Sequence, residues 1–115
     1  MTDQALYPLA EASAAAAAIR VTGEQPVALL ASRGTMILEF YAPRGDDDQK
    51  PHSQDELYFV ASGSGTFVCD GERTAFQPGD ALFAAAGVTH HFEDFSDDFG
   101  TWVVFYGPEG GEIPR

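Results

Sequence analysis

From residue 27 onward, the chain alternates between short apolar runs and polar turns that contain glycine, proline or aspartate. The runs are rich in β-branched and aromatic residues, and after Gly23 they lack the 3.6-residue periodicity of an amphipathic helix. Seven or eight short strands with closely spaced turns are typical of an all-β sandwich or barrel. We predict strands over 27–31, 35–41, 56–62, 66–69, 72–76, 80–84, 89–95 and 99–106.

Two parts of this pattern predict more than the presence of a strand. The run 56–62 is apolar at successive positions, which predicts a strand that is buried on both faces. Between 66–69 and 72–76 stands Asp70-Gly71, a pair that favours a two-residue hairpin turn.

The two ends of the chain differ from the middle. Residues 12–19 are almost all alanine, the best helix former, and predict a short helix. Acidic residues precede this stretch and no basic residue does, which is unlike a secretory signal, and the stretch is too short to span a bilayer. We divide the chain into a helical extension (1–26), a β-barrel (27–106) and a flexible glycine-rich tail (107–115).

Composition narrows the functional classes. The chain has 115 residues, enough for one domain, and 44% of them are hydrophobic. Cys69 is the only cysteine, so an internal disulfide is impossible, and we expect Cys69 to be a small apolar filler in a cytoplasmic protein.

The net charge of −12 repels phosphate backbones and argues against nucleic-acid binding. Acidic residues cluster at 46–48, 55–56 and 93–98. We expect most of these carboxylates to be solvated loop charges, with Glu56 as the exception because it opens an apolar strand.

The three histidines lie at two places in the sequence, one just before Glu56 and the other at the start of a later strand. His52 precedes Glu56 by four residues, and His90 and His91 open the strand that follows Gly87. Imidazole and carboxylate groups suit first-row divalent metals, and a set of two histidines and one carboxylate leaves coordination positions open. Strand alternation allows only one of His90 and His91 to face a barrel interior.

The spacing of these residues resembles the first of two motifs of the cupins, a family of small β-barrel proteins. Glu56 and Gly63 have the spacing of that motif, and His52 falls on its second histidine. The position of its first histidine is occupied by Lys50, a clear departure.

The second cupin motif is matched in register by Gly79, Gly87 and His90. Ala85 replaces its proline, and Asp94 replaces its asparagine. The resemblance covers roughly residues 27–106 and implies a cupin-type double-stranded β-helix, or jelly-roll barrel.

The resemblance also implies a site. It assigns one divalent metal ion (Fe, Mn, Zn or Ni) to His52, Glu56 and His90, and it directs His91 outward or into the layer around the ligands. For the missing first histidine three alternatives stay open: an extra water, an approach by Gln54 or Gln49, or loss of the metal.

Three residues near this site have expected secondary roles. Tyr58 and Val60 share the face of Glu56 by alternation and are candidates for the pocket wall. A buried carboxylate needs a cation or a hydrogen-bond partner, which a metal ion, Lys50 or Arg44 would supply to Glu56. While protonated, Lys50 is not a ligand, but it is placed to hold an anionic substrate.

Two classes of function follow. The first is a metal-binding cupin that coordinates a small organic molecule, either as an Fe(II) dioxygenase or, with Mn(II), Zn(II) or Ni(II), as a Lewis-acid isomerase or lyase. The second is a non-catalytic binding or structural cupin with a degenerate site. Because cupins commonly dimerise through sheet faces, we also expect a homodimer, and we expect no membrane association.

Overall fold

Eight β-strands and their connecting turns make up Pro26–Arg115, the part of the chain that the computed structural model describes. All eight predicted strands are present, and their ends lie within two residues of the predicted ends. The all-β prediction is confirmed, whereas the predicted helix lies outside the described residues. The strands are β1 Val27–Arg33, β2 Met36–Tyr41, β3 Asp55–Ser62, β4 Gly65–Cys69, β5 Glu72–Phe76, β6 Ala81–Ala84, β7 His90–Glu93 and β8 Gly100–Tyr106.

The strands form two antiparallel sheets. One has five strands in the order β1-β2-β8-β3-β6, and the other has three in the order β5-β4-β7. The predicted hairpin joins β4 to β5, with Cys69 paired to Glu72. Asp70 and Gly71 have φ values of 51° and 82°, the left-handed conformation that a two-residue hairpin of this kind requires at both positions.

An aromatic core fills the space between the sheets. Phe92 on β7 lies at its centre, with ring centroids 5.0 Å from Tyr58, 5.5 Å from Phe76 and 4.8 Å from Phe99. These rings are almost completely shielded from solvent. Because large rings packed edge to face leave little room for movement, they form a fixed floor beneath the polar residues described below.

The polar loop between β2 and β3 lies along β7. The backbone N–H of Phe92 donates to the Asp47 carboxylate (2.9 Å), which also accepts from the Gln49 amide (2.7 Å) and the Tyr41 hydroxyl. The Asp47 carboxylate thus accepts a backbone hydrogen bond that a neighbouring strand would otherwise accept. The expectation that residues 46–48 are all solvated is therefore wrong for Asp47, although Asp46 and Asp48 are exposed.

Asp55 corrects a second expectation. It was expected to be solvated, but it is 5% exposed and accepts backbone N–H groups from Ala86 (2.9 Å) and Glu112 (2.8 Å). Its carboxylate thereby joins the start of β3 to the turn before β7 and to the C-terminal tail. The flexibility of the tail stays a prediction.

Strand β3 is not buried on both faces within this chain. Glu56, Tyr58 and Val60 are buried on the inner face, but Phe59 on the opposite face is 44% exposed. The run of apolar letters therefore marks two different surfaces, a packed interior and an apolar exterior.

That exterior extends across four strands. Phe59 pairs with Trp102 and Ala81, and Leu57 pairs with Val104 and Phe83, so two apolar rows run side by side. An antiparallel sheet with one face toward water normally carries polar residues on that face. We define the outer face by the uncharged side chains of these two rows: Leu57, Phe59, Ala81, Phe83, Trp102 and Val104. On β2 the rows continue into Leu38 and into Phe40, which is buried in a second apolar cluster with Leu30 and Ala42.

No helix among residues 26–115 has the length and hydropathy needed to cross a membrane.

Loss of the Asp47 carboxylate should destabilise the fold. Asp47→Ala leaves the buried N–H of Phe92 without its acceptor, and we expect the free energy of unfolding to fall by about 1–3 kcal/mol in urea titrations. Asp48→Ala is the matched control, because Asp48 is exposed and its removal should change stability by less than about 0.5 kcal/mol. Equal effects of the two substitutions would contradict the structural role of Asp47.

We propose that two copies of the chain associate through the outer face. On a chain of net charge −12, an uncharged apolar face lets two copies approach with little repulsion, and its exposed rings gain by leaving water. Light scattering after size exclusion should give a dimer for the wild type and a monomer for Phe59→Asp. Ile113→Asp, at an 89% exposed position in the tail, should remain dimeric. A wild-type monomer at micromolar concentration would refute the proposal.

Candidate metal centre

The two sheets bring three polar side chains together inside the barrel. Glu56, fully buried, faces inward from β3; His90, 2% exposed, faces it from β7; and His52 approaches from the loop before β3. His90 Nε2 lies 2.7 Å from Glu56 Oε1, and His52 Nδ1 lies 2.8 Å from Glu56 Oε2. One nitrogen or oxygen atom from each residue falls within 4.8 Å of the others, so the three residues predicted from spacing form one cluster.

The cluster is close-packed but poorly hydrogen-bonded. His52 Nδ1, Glu56 Oε2 and His90 Nε2 are all shielded from solvent, and within residues 26–115 none has a hydrogen bond of acceptable geometry, despite the short separations. The distances therefore fit a hydrogen bond and the angles do not. Buried polar atoms without directed partners are costly, and three that converge on one point are arranged as ligands of a cation are.

The neighbouring backbone selects the tautomer of the neutral His90 ring. Its Nδ1 lies 2.8 Å from the Val88 carbonyl oxygen. Because a carbonyl only accepts, Nδ1 must donate, which leaves the lone pair of Nε2 directed at the cluster in the neutral ring. A hydrogen bond to the outer imidazole nitrogen is the usual support of a metal-binding histidine.

Tyr58 supports the carboxylate. Its hydroxyl donates to Glu56 and lies 3.3 Å from the Gln49 side-chain oxygen. Burial raises the pKa of Tyr58, and the negative charge of Glu56 raises it further, so the phenol keeps its proton. The predicted wall residue is thus a direct hydrogen-bond donor to the centre.

The carboxylate stays ionised although it is buried. Burial alone would raise the pKa of Glu56, but its contacts with His52, His90 and Tyr58 outweigh burial and lower the pKa to about 2. Burial also acts to lower the pKa of His90, but the contact with Glu56 and the Val88 carbonyl raise it above its ordinary value. Glu56 therefore contributes a negative charge to the centre over the physiological pH range.

The neighbouring histidine points the other way. His91 Nε2 lies 2.6 Å from Glu93 Oε2, and Glu93 also pairs with Arg73 at 2.7 Å. These groups lie on the outside of β7, as alternation predicts.

The remaining predicted residues have different surroundings. Gln54 donates to the carbonyl oxygens of Thr35 (2.9 Å) and Gly107 (2.8 Å), so its amide holds two loops together. Lys50 is exposed and forms no hydrogen bond or ion pair with the three centre residues. Gln49 borders a cavity beside His52, whereas Val60 packs into the aromatic core and borders neither of the cavities next to the centre.

Those cavities adjoin one another at the mouth of the centre. Their volumes are about 160 and 270 Å³, and Glu39, His52 and Phe105 border both. The His52 ring stands edge-on to Phe105, with centroids 5.0 Å apart. Together they offer room for a small molecule beside the histidine.

Glu39 is the functional candidate that the sequence reasoning missed. Burial raises its pKa, and nearby His52 opposes that rise. A signal was available, because Glu39 is the one charged residue of β2, and alternation from Ile37 and Tyr41 places it on the inner face.

Two antiparallel sheets closed around a centre of two histidines and one carboxylate define the class as a small β-barrel with a candidate metal site. The cupin domain family model matches residues 37–106, more than half of the chain. The chain belongs to the cupin domain family.

Known proteins agree with this assignment. An uncharacterized protein of Streptomyces coelicolor is 44% identical over 63 residues, which are 55% of this chain and 60% of that protein. A cupin 2 conserved barrel domain protein of Salinispora arenicola has a similar fold, with 20% identity, a TM-score of 0.60 and coverage of 70% of this chain and 74% of that one. So does a predicted oxalate decarboxylase of Thermotoga maritima, with 23% identity, a TM-score of 0.54 and coverage of 68% and 76%. The chain thus spans about three fifths of the curated Streptomyces relative, and the structural matches show the fold.

Proposed function

We propose that His52, Glu56 and His90 bind one divalent metal ion, and that this ion coordinates a small organic molecule through oxygen atoms. The observation that carries the proposal is the convergence of three buried donor atoms, within 4.8 Å of one another, without hydrogen bonds of acceptable geometry. Two imidazoles and one carboxylate suit Fe, Mn, Zn or Ni and leave coordination positions open.

The chain's own residues prepare the centre. The Val88 carbonyl holds His90 in the tautomer that presents Nε2, and the Tyr58 hydroxyl orients the Glu56 carboxylate. Aromatic rings close the inner side of the centre, so exchange with solvent occurs on the side of His52 and the two cavities. A small molecule entering there meets the centre on its open side.

The bound ion would supply either dioxygen chemistry, as Fe(II), or Lewis-acid activation of an oxygen ligand, as Mn(II), Zn(II) or Ni(II). The second fits isomerase, lyase or decarboxylase reactions, and the similar fold of the Thermotoga protein supports it by analogy of fold alone.

A non-catalytic ligand-binding role is the second candidate. It is favoured by Lys50, which replaces the first motif histidine and is exposed. In that case the ion would hold the small molecule without converting it. Turnover of a bound ligand separates this role from catalysis.

Metal content is the direct test. Protein purified without a metal-affinity step and reconstituted with Fe(II), Mn(II), Ni(II) or Zn(II) should hold about one equivalent of metal by plasma mass spectrometry. His90→Ala should lose it. His91→Ala is the matched control and should retain it, because His91 faces outward. A wild type that stays metal-free with all four ions, or equal loss in both variants, would overturn the proposal.

The metal affinity should fall as the pH falls. Metal binding needs neutral imidazoles, and contact with Glu56 raises the pKa of His90. Protons therefore begin to compete with the metal ion for His90 at a pH above the ordinary histidine pKa of about 6.5. Glu56, with a pKa of about 2, stays ionised and adds no slope in that range. Below the raised pKa of His90, protonation of its ring should lower the affinity about tenfold per pH unit. Chelator competition between pH 5.5 and 8 measures this, and a flat profile would exclude histidine ligation.

A further inference from the structure

Glu39 is the one charged residue of the otherwise apolar strand β2. It lies on the inner face of β2 and pairs across the sheet with Val103. It is partly buried, and no residue between 26 and 115 forms a hydrogen bond or an ion pair with its carboxylate. A charge in this position costs free energy that an apolar residue would not, so its presence points to a bound ligand as its partner.

Its position indicates where that partner would be. Glu39 borders both cavities at the mouth of the centre, and His52 borders the same two cavities. His52 in turn lies 2.8 Å from Glu56. A molecule in these cavities would therefore touch the centre with one end and Glu39 with another.

The charges around the cavities narrow the class of molecule. Among the described residues no lysine or arginine borders either cavity, and Lys50 is exposed. If Glu56 were the only charged group near a divalent ion, the site would keep a net positive charge, which attracts anions. With Glu39 beside it the positive and negative charges balance, and the mouth of the cavity itself is negative.

We propose that Glu39 selects the ligand by accepting hydrogen bonds from a hydroxyl or ammonium group, so that the site takes small neutral or cationic oxygen ligands and disfavours carboxylates and phosphates. This inference rests on the proposed metal-dependent binding and names its ligand class. It replaces the expectation that Lys50 holds an anionic substrate.

Three catechols of similar size test the selection, because their paired oxygens are the same and only the distal group differs. The probes are 3,4-dihydroxybenzylamine (cationic), 4-methylcatechol (neutral) and 3,4-dihydroxybenzoate (anionic). Calorimetry on the full zinc-loaded chain should show the amine binding about tenfold or more tightly than the benzoate, as expected for one opposite charge against one like charge at close range.

The variants assign this preference to one residue. Glu39→Gln should keep its zinc and bring the ratio of the two dissociation constants close to one. Glu109→Gln removes the same charge from the exposed tail and should keep the wild-type ratio. If Glu39→Gln fails to fold, Glu39→Asp keeps the charge and should keep the preference for the amine.

The outcomes separate this inference from the proposed function. Three outcomes with a zinc-loaded chain overturn the role of Glu39 and leave the metal site standing. They are equal affinity for all three probes, no measurable binding of any probe, and an unchanged ratio of dissociation constants in Glu39→Gln. If the wild type binds no metal, the proposed function fails, and the same probes are titrated into the metal-free chain by NMR. A preference for the amine that Glu39→Gln abolishes would still support the role of Glu39, and its absence would refute it.

Discussion

The buried carboxylate of Glu56 is the constraint on which the centre depends. A fully buried charge is unfavourable by itself, yet three neighbours lower the pKa of Glu56 to about 2, so their contacts outweigh its burial. Those neighbours come from different parts of the fold: Tyr58 from the same strand, His90 from the opposite sheet and His52 from a loop. Once buried, the carboxylate remains charged because these neighbours contact it, and their placement depends on the closure of both sheets, which couples the centre to the fold.

The five-stranded sheet departs from the usual assignment of its faces, because part of its inner face is polar while its outer face is apolar. Its inner face carries Glu39, Glu56 and Tyr58, and its outer face carries two apolar rows. The aromatic core compensates by filling the other part of the interior around Phe92. The inner surface is thus divided between packing, which stabilises the fold, and a polar pocket, which reduces the apolar area available for packing.

Local signals in the sequence predicted much of this arrangement, and contacts between distant residues account for the rest. The turn at Asp70-Gly71 and the spacing of His52 and Glu56 are properties of short segments, and both predictions placed their residues correctly. Asp47 and Asp55 were misread because their donors lie 45 and 31 residues away along the chain. No periodicity marks an acidic side chain that binds the backbone N–H of a distant strand. Glu39 differs, because alternation alone would have placed it inside.

The structure also bears on the position of the missing motif histidine. Lys50 is exposed, the Gln54 amide is engaged by two backbone carbonyls, and Gln49 hydrogen-bonds with Asp47 and lies beside Tyr58. Neither of the two glutamines considered for that position is therefore free to serve as a fourth ligand without giving up its present contacts. An ion held by three ligands keeps more of its coordination sphere for water or a small molecule than an ion held by four. The departure from the motif thus fits the proposed binding of a ligand at an open ion, at whose mouth Glu39 is the residue that we propose selects the ligand.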